Sequence, residues 1–107
     1  MNKKIFNTTK VPRMTDIFPQ AVIADKFIFI SGTTGVNPIT GKLSERFEEQ
    51  AKQCFMNIQT ILVEIGSGMD KIVKTTVLWF QETTLAHSIR CMQKFFRRMH
   101  RHEVRRR

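Results

Sequence analysis

The chain changes vocabulary at residue 78, and that break constrains its folding more than any other feature. Residues 1–78 hold eight lysines, two arginines and seven acids, whereas residues 79–107 hold one lysine, seven arginines and two acids. All three histidines (His87, His100, His102) and the single tryptophan, Trp79, also fall after the break. The net charge of +9 suggests a nucleic-acid binder until it is divided this way, because most of it belongs to the short final part. With 107 residues the chain has material for one hydrophobic core, and a single domain rarely changes composition so abruptly. The expected organisation is a folded portion over 1–78 followed by a divergent basic tail over 79–107.

Composition excludes several classes. Apolar residues at 41% and charged residues at 25% match an ordinary globular protein rather than a disordered one. No run of about 18 uncharged apolar residues exists to form a transmembrane helix. Residues 1–7 lack the apolar centre of a secretory signal. They are basic, and no acid occurs before Asp16, which leaves mitochondrial targeting as the alternative to a cytoplasmic setting. Two cysteines, Cys54 and Cys91, are too few for a disulfide framework or a metal site, in keeping with a reducing compartment.

The first part reads as an α/β unit. Val22 to Ile30 has apolar, β-branched arms around Ala24-Asp25-Lys26, the pattern of two short strands joined by a tight turn. Ser31 to Gly41 is rich in turn formers and follows a strand end. From Ser44 the period changes: Phe47, Ala51, Cys54, Phe55, Ile58, Ile61, Leu62 and Ile65 recur at steps of three and four. That is one apolar face of a helix of about five turns. Gly66 should stop it in a left-handed cap. Ile72 to Leu78 is β-branched and predicts a further strand. A parallel pairing of the strands flanking the helix would use the helix as its crossover.

Most chemically suggestive residues have a structural reading that suffices. Cys54 lies on the apolar face of the helix and reads as a packed core cysteine. Glu48, Glu49 and Glu64 read as solvated helix charges. Gly41-Lys42 is followed by Leu43 and lacks the glycine spacing of a phosphate loop. Taken alone, these residues give a small α/β domain with a polar loop at a strand end, and no reaction.

The motifs are more specific. Gln20-Ala21-Val22-Ile23-Ala24, Phe29-Ile30-Ser31-Gly32 and Asn37-Pro38-Ile39-Thr40-Gly41-Lys42-Leu43 closely resemble the Rid (YjgF) family. So do Glu49-Gln50-Ala51, Asn57-Ile58 and Ile72 to Val77, and the resemblance runs from residue 3 to 78 without a gap. It implies a chorismate-mutase-like α/β fold, a sheet with helices packed on one face, and a homotrimer with active sites between subunits. The implied activity is hydrolysis of reactive 2-imino acids to 2-oxo acids and ammonia, with no cofactor. Such chemistry asks for an arginine fork on the substrate carboxylate and a carboxylate to activate water. The family keeps the first in a Pro-Ala-Arg-Ser-like segment and the second on a late strand of alternating Glu and Ile; neither segment occurs here. The substrate-binding positions that remain by resemblance are Phe18, Ser31 and Gly32, with no catalytic residue and no metal ligand. Phe18 stands where a tyrosine would be typical, so one hydroxyl is lost. For Ser31 the rival reading is a turn hydroxyl satisfied by backbone.

A change of reading frame accounts for the break. When the codons of residues 87–106 are regrouped from the third base of His87, Met92-Gln93 and Met99-His100 are each forced to give alanine. His102-Glu103 can give only arginine or a stop. The remaining codons permit Phe-Asn-Lys-Val-Tyr-Ala-Glu-Val-Phe, the family's second helix, and later Pro-Ala-Arg-Ser. Residues from about 79 are therefore expected to be out of frame, through a genuine frameshift or an error in delineating the gene, leaving the family's C-terminal strands missing. The unpaired sheet edge and uncovered apolar surface should then favour aggregation.

The tail retains a helical period of its own. Leu85, Ile89, Met92, Phe95, Phe96 and Met99 keep steps of three and four, which predicts an amphipathic helix within about 84–101. Its arginine-rich end gives the alternative function, a basic module on the same scaffold that binds RNA or an acidic surface. His100 and His102 are two apart and do not share a helix face as a metal pair would.

Overall fold

The computed structural model describes residues 2–76, 78, 90, 93 and 94. Three strands, β1 (Lys3–Phe6), β2 (Ala21–Ala24) and β3 (Phe27–Ile30), form an antiparallel sheet in the order β1-β2-β3. Helix α1 (Phe47–Ile65) and a 3-10 turn over Met69–Lys71 follow.

The β2–β3 hairpin forms where the alternating arms place it. Asp25 takes a left-handed backbone with φ of 53°, which aspartate tolerates better than most residues. It also ties down the start of the chain: its N–H donates to the Asn2 carbonyl at 2.9 Å, and its carboxylate accepts the Asn2 N–H at 3.0 Å. β1 was not anticipated from sequence. Lys3-Lys4-Ile5-Phe6 has little β pattern, and its strand form comes from pairing with β2, with Ile5 opposite Val22 and Phe6 opposite Ala21.

The register divides the sheet into two unlike faces. Phe6, Ala21, Ile28 and Ile30 point inward to Val11 and to Ile61 of α1. Ile28 and Ile30 also pack with Phe55, Leu62 and Met69, against which Ile58 and Ile72 lie. The helix stripe read from the sequence is the stripe that meets the sheet. α1 ends as expected: Gly66 has φ of 96°, its N–H donates to the Val63 carbonyl, and the Ser67 N–H donates to the Leu62 carbonyl. This pair of bonds is the Schellman motif.

Two expectations are corrected. Ile72–Thr76 is not a strand but irregular chain, with Val73 93% exposed. β-branched residues favour extended backbone, and Ile72 has it (φ −68°, ψ 129°), but a strand also needs a neighbouring edge to pair with. The parallel crossover is likewise not formed among the described residues, where every pairing is antiparallel. The helix expected within 84–101 lies largely outside the described residues, although Arg90, Gln93 and Lys94 have helical backbone. The arginine-rich end and its proposed RNA or acidic surface lie outside them too.

Candidate functional site

Two loops and one helix build a cleft at the end of the β2–β3 hairpin. The Ser31 N–H donates to the Gln20 carbonyl at 3.0 Å, one bond beyond the ladder, and the chain then leaves the sheet. Ser31 Oγ donates to the Pro19 carbonyl at 2.6 Å, and Thr33 Oγ1 donates to the Ser31 carbonyl at 3.0 Å. The Ser31 hydroxyl thus has a backbone partner, as its rival reading requires, while its lone pairs can still accept a bond.

The next residues lie against α1. Asn57 is 1% exposed, and its Nδ2 donates to the carbonyls of Thr34 at 3.0 Å and Val36 at 2.8 Å. Its Oδ1 accepts from Gln53 Nε2 at 2.9 Å, so the buried amide is fully satisfied. Between those carbonyls, Gly35 passes so close to the helix that a Cβ would lie 2.1 Å from the Gln50 backbone oxygen. Cys54 Sγ donates to the Thr33 carbonyl at 3.1 Å, and burial pushes this thiol above its ordinary pKa. That is the behaviour of a core cysteine rather than of an activated nucleophile.

The opposite wall is the segment from Asn7 to Gln20. Gln20 organises it: its Nε2 donates to the Val11 carbonyl at 2.7 Å, its Oε1 accepts the Thr8 N–H at 2.6 Å, and its own N–H reaches Asn7 Oδ1 at 2.9 Å. Arg13 Nη2 donates to the Phe18 carbonyl at 3.3 Å, and Arg13 Nη1 lies 3.8 Å from the carboxylate of the fully exposed Asp16.

Phe18, Ser31 and Gly32, separated in sequence, all line the resulting cleft, with Asn57 and Ile61 on the α1 side. Among the described residues nothing stands within 4 Å of the place a Cβ on Gly32 would occupy, so the rim is open to them there. The cleft measures about 20 Å³, room for a water or the end of a small polar group. The glutamates belong elsewhere: Glu64 pairs with Lys10 at 2.9 Å, and Glu49 accepts from Ser44 Oγ at 2.5 Å. Among the described residues there is no cluster of three or more metal-ligating side chains, and no helix is long and apolar enough to cross a membrane.

Two residues of this site escaped the sequence reading of the cleft. Asn57 follows Cys54 by three and precedes Ile61 by four, so a polar side chain on the apolar stripe was the available signal. Arg13 carried no periodic signal, because it sits in a loop after Pro12.

The family model described as endoribonuclease L-PSP matches residues 8–105. A RutC family protein of Aquifex aeolicus is 47% identical over 70 residues, covering 65% of this chain and 56% of that protein. The 2-iminobutanoate/2-iminopropanoate deaminase of Mus musculus is 40% identical over 77 residues, 71% of this chain and 57% of the deaminase. The chain therefore spans little more than half the length of these relatives. TdcF of E. coli, solved with bound serine, has a TM-score of 0.81 at 27% identity, covering 89% of this chain and 75% of TdcF. The family model runs past residue 78, whereas the pairwise matches to the two relatives comprise 70 and 77 residues. Sheet, helix and motifs agree with the chorismate-mutase-like α/β fold of these neighbours, and the chain belongs to the Rid (YjgF) family.

Proposed function

We propose that this chain carries the substrate cleft of a deaminase of small 2-imino acids but lacks the groups that complete the reaction. The carrying observation is the convergence of Phe18, Ser31 and Gly32 on one cleft. In the reaction water adds across the C=N bond, ammonia leaves, and the 2-oxo acid remains. The mouse relative is named for that activity, and the serine in TdcF has the same carboxylate and α-nitrogen as a 2-amino analogue of the substrate.

The missing groups follow from the residues after 78. They contain no Pro-Ala-Arg-Ser-like segment and no run of alternating Glu and Ile, and among the described residues no carboxylate lines the cleft. Loss of acid–base assistance is typically worth about 10²–10⁴-fold, and loss of substrate orientation about 100-fold more. A frame change at about residue 79 accounts for both losses together. The natural partner of the folded part is further copies of itself, a homotrimer by family, docked through the outer sheet face where Ile5, Phe27 and Phe29 stand exposed. A reducing, cytoplasmic setting suits the free Cys54.

The test is release of ammonia and 2-oxobutanoate from freshly generated 2-iminobutanoate. The 107-residue chain should do no better than buffer, and a chain continued in the alternative frame after about residue 78 should be active. Comparable rates from both chains would overturn the reading.

A further inference from the structure

Of the residues lining the cleft, Arg13 is the one with an ionisable side chain among the described residues. Val11, Pro12, Met14, Phe18, Pro19 and Ile61 supply much of the remaining wall, and the Arg13 side chain, 37% exposed, lies at its solvent-facing edge. The guanidinium is also held in place. Nη2 is bound to the Phe18 carbonyl at 3.3 Å, and Phe18 is fixed in turn by its neighbours Pro19 and Gln20, which bond across to Ser31 and Asn7.

Among the described residues the charge is not cancelled. Asp16 stands 3.8 Å away with its carboxylate fully in solvent, a geometry in which an ion pair contributes little. A guanidinium has five N–H donors in a fixed fork, and the contact with Phe18 engages one. Across the cleft the Ser31 hydroxyl donates to the Pro19 carbonyl, and among the described residues the rim above Gly32 is open. A guanidinium with uncommitted donors on one wall and space for one small group beside it suit a carboxylate end.

We propose that Arg13 is the residue that holds the carboxylate of a small 2-oxo or 2-imino acid in this cleft, supplying a positive charge from the 7–20 loop. The proposal rests on reading the cleft as a 2-imino acid site. It assigns Arg13 to binding and orientation, not to the chemical step, since a guanidinium provides no base to activate water.

The experiment is calorimetric titration of the full chain, Arg13→Gln and Arg13→Lys with 2-oxobutanoate and with butanoate, after melting curves show that the variants match the parent. Arg13→Gln should weaken 2-oxobutanoate at least tenfold, and Arg13→Lys, which keeps the charge without the fork, should weaken it less. If Arg13→Gln binds within twofold of the parent, or if the parent binds neither acid, the assignment is overturned. If both acids bind equally and both depend on Arg13, the residue holds anions as proposed while the deaminase reading of the cleft falls. A preference for 2-oxobutanoate that also depends on Arg13 supports both.

Discussion

Asn57 is the residue on which the shape of the cleft depends most. Its amide bridges two carbonyls of the 33–36 segment to α1 from a position with almost no access to water. Asn57→Ala leaves both carbonyls without that donor, and an unsatisfied buried polar group costs about 1–3 kcal/mol. The expected result is a loss of at least about 2 kcal/mol of unfolding free energy in urea, with unchanged spectral signature of the helix before the transition. A change below about 0.5 kcal/mol, the range of an ordinary surface substitution, would show that the 33–36 segment holds its place without Asn57. Gly35 sets a complementary limit, because any side chain there meets the Gln50 backbone. The same crowding that excludes a Cβ brings the loop near enough for Asn57 to reach it.

At the scale of elements, the sheet is finished on one side and bare on the other. Ile5, Val22 and Phe29 align across the three strands on the outer face, with Ala24 and Phe27 beside them. Ile5, Phe27 and Phe29 are each more than 60% exposed. A contiguous apolar face of this kind marks an interaction surface. The chain should therefore sediment above monomer mass, and the pair Phe27→Lys and Phe29→Lys should shift it towards monomer while its circular dichroism is retained. Unchanged sedimentation of the doubly substituted chain would remove the sheet face from the interface. How legible each element was depended on where its stabilisation comes from. α1 and its Gly66 cap are local, written in a 3.6-residue period and one glycine, and both formed as read. β1 is non-local: Lys3-Lys4-Ile5-Phe6 becomes a strand because β2 offers an edge and Asp25 clasps Asn2. Ile72–Thr76 shows the converse, a strong β-branched run with no strand partner among the described residues. Phe18, Ser31 and Gly32 were found through motif resemblance, whereas Arg13 required the folded loop to bring it to the cleft.

The whole molecule joins a well-specified two thirds to a tail of different composition. Residues 3–71 contain the sheet, the helix, both core clusters and the cleft, and apart from β1 the local signals there agree with the fold. Such agreement across levels is what a selected sequence displays. After residue 78 lysine gives way to arginine and acids become scarce, while the shifted codons are forced towards alanine at two positions where the family's residues would accept it. If the proposed frame change is right, the coding segment after residue 78 holds an arginine motif and a glutamate-bearing strand in a frame this chain does not read. The direct measurement is the nucleotide sequence of the transcript across the codons for residues 76–107 and the bases beyond. The alternative frame should run open through this region, encode a Pro-Ala-Arg-Ser-like segment and continue into a strand of alternating Glu and Ile. A stop where His102-Glu103 is regrouped, or an open frame without those segments, would contradict it.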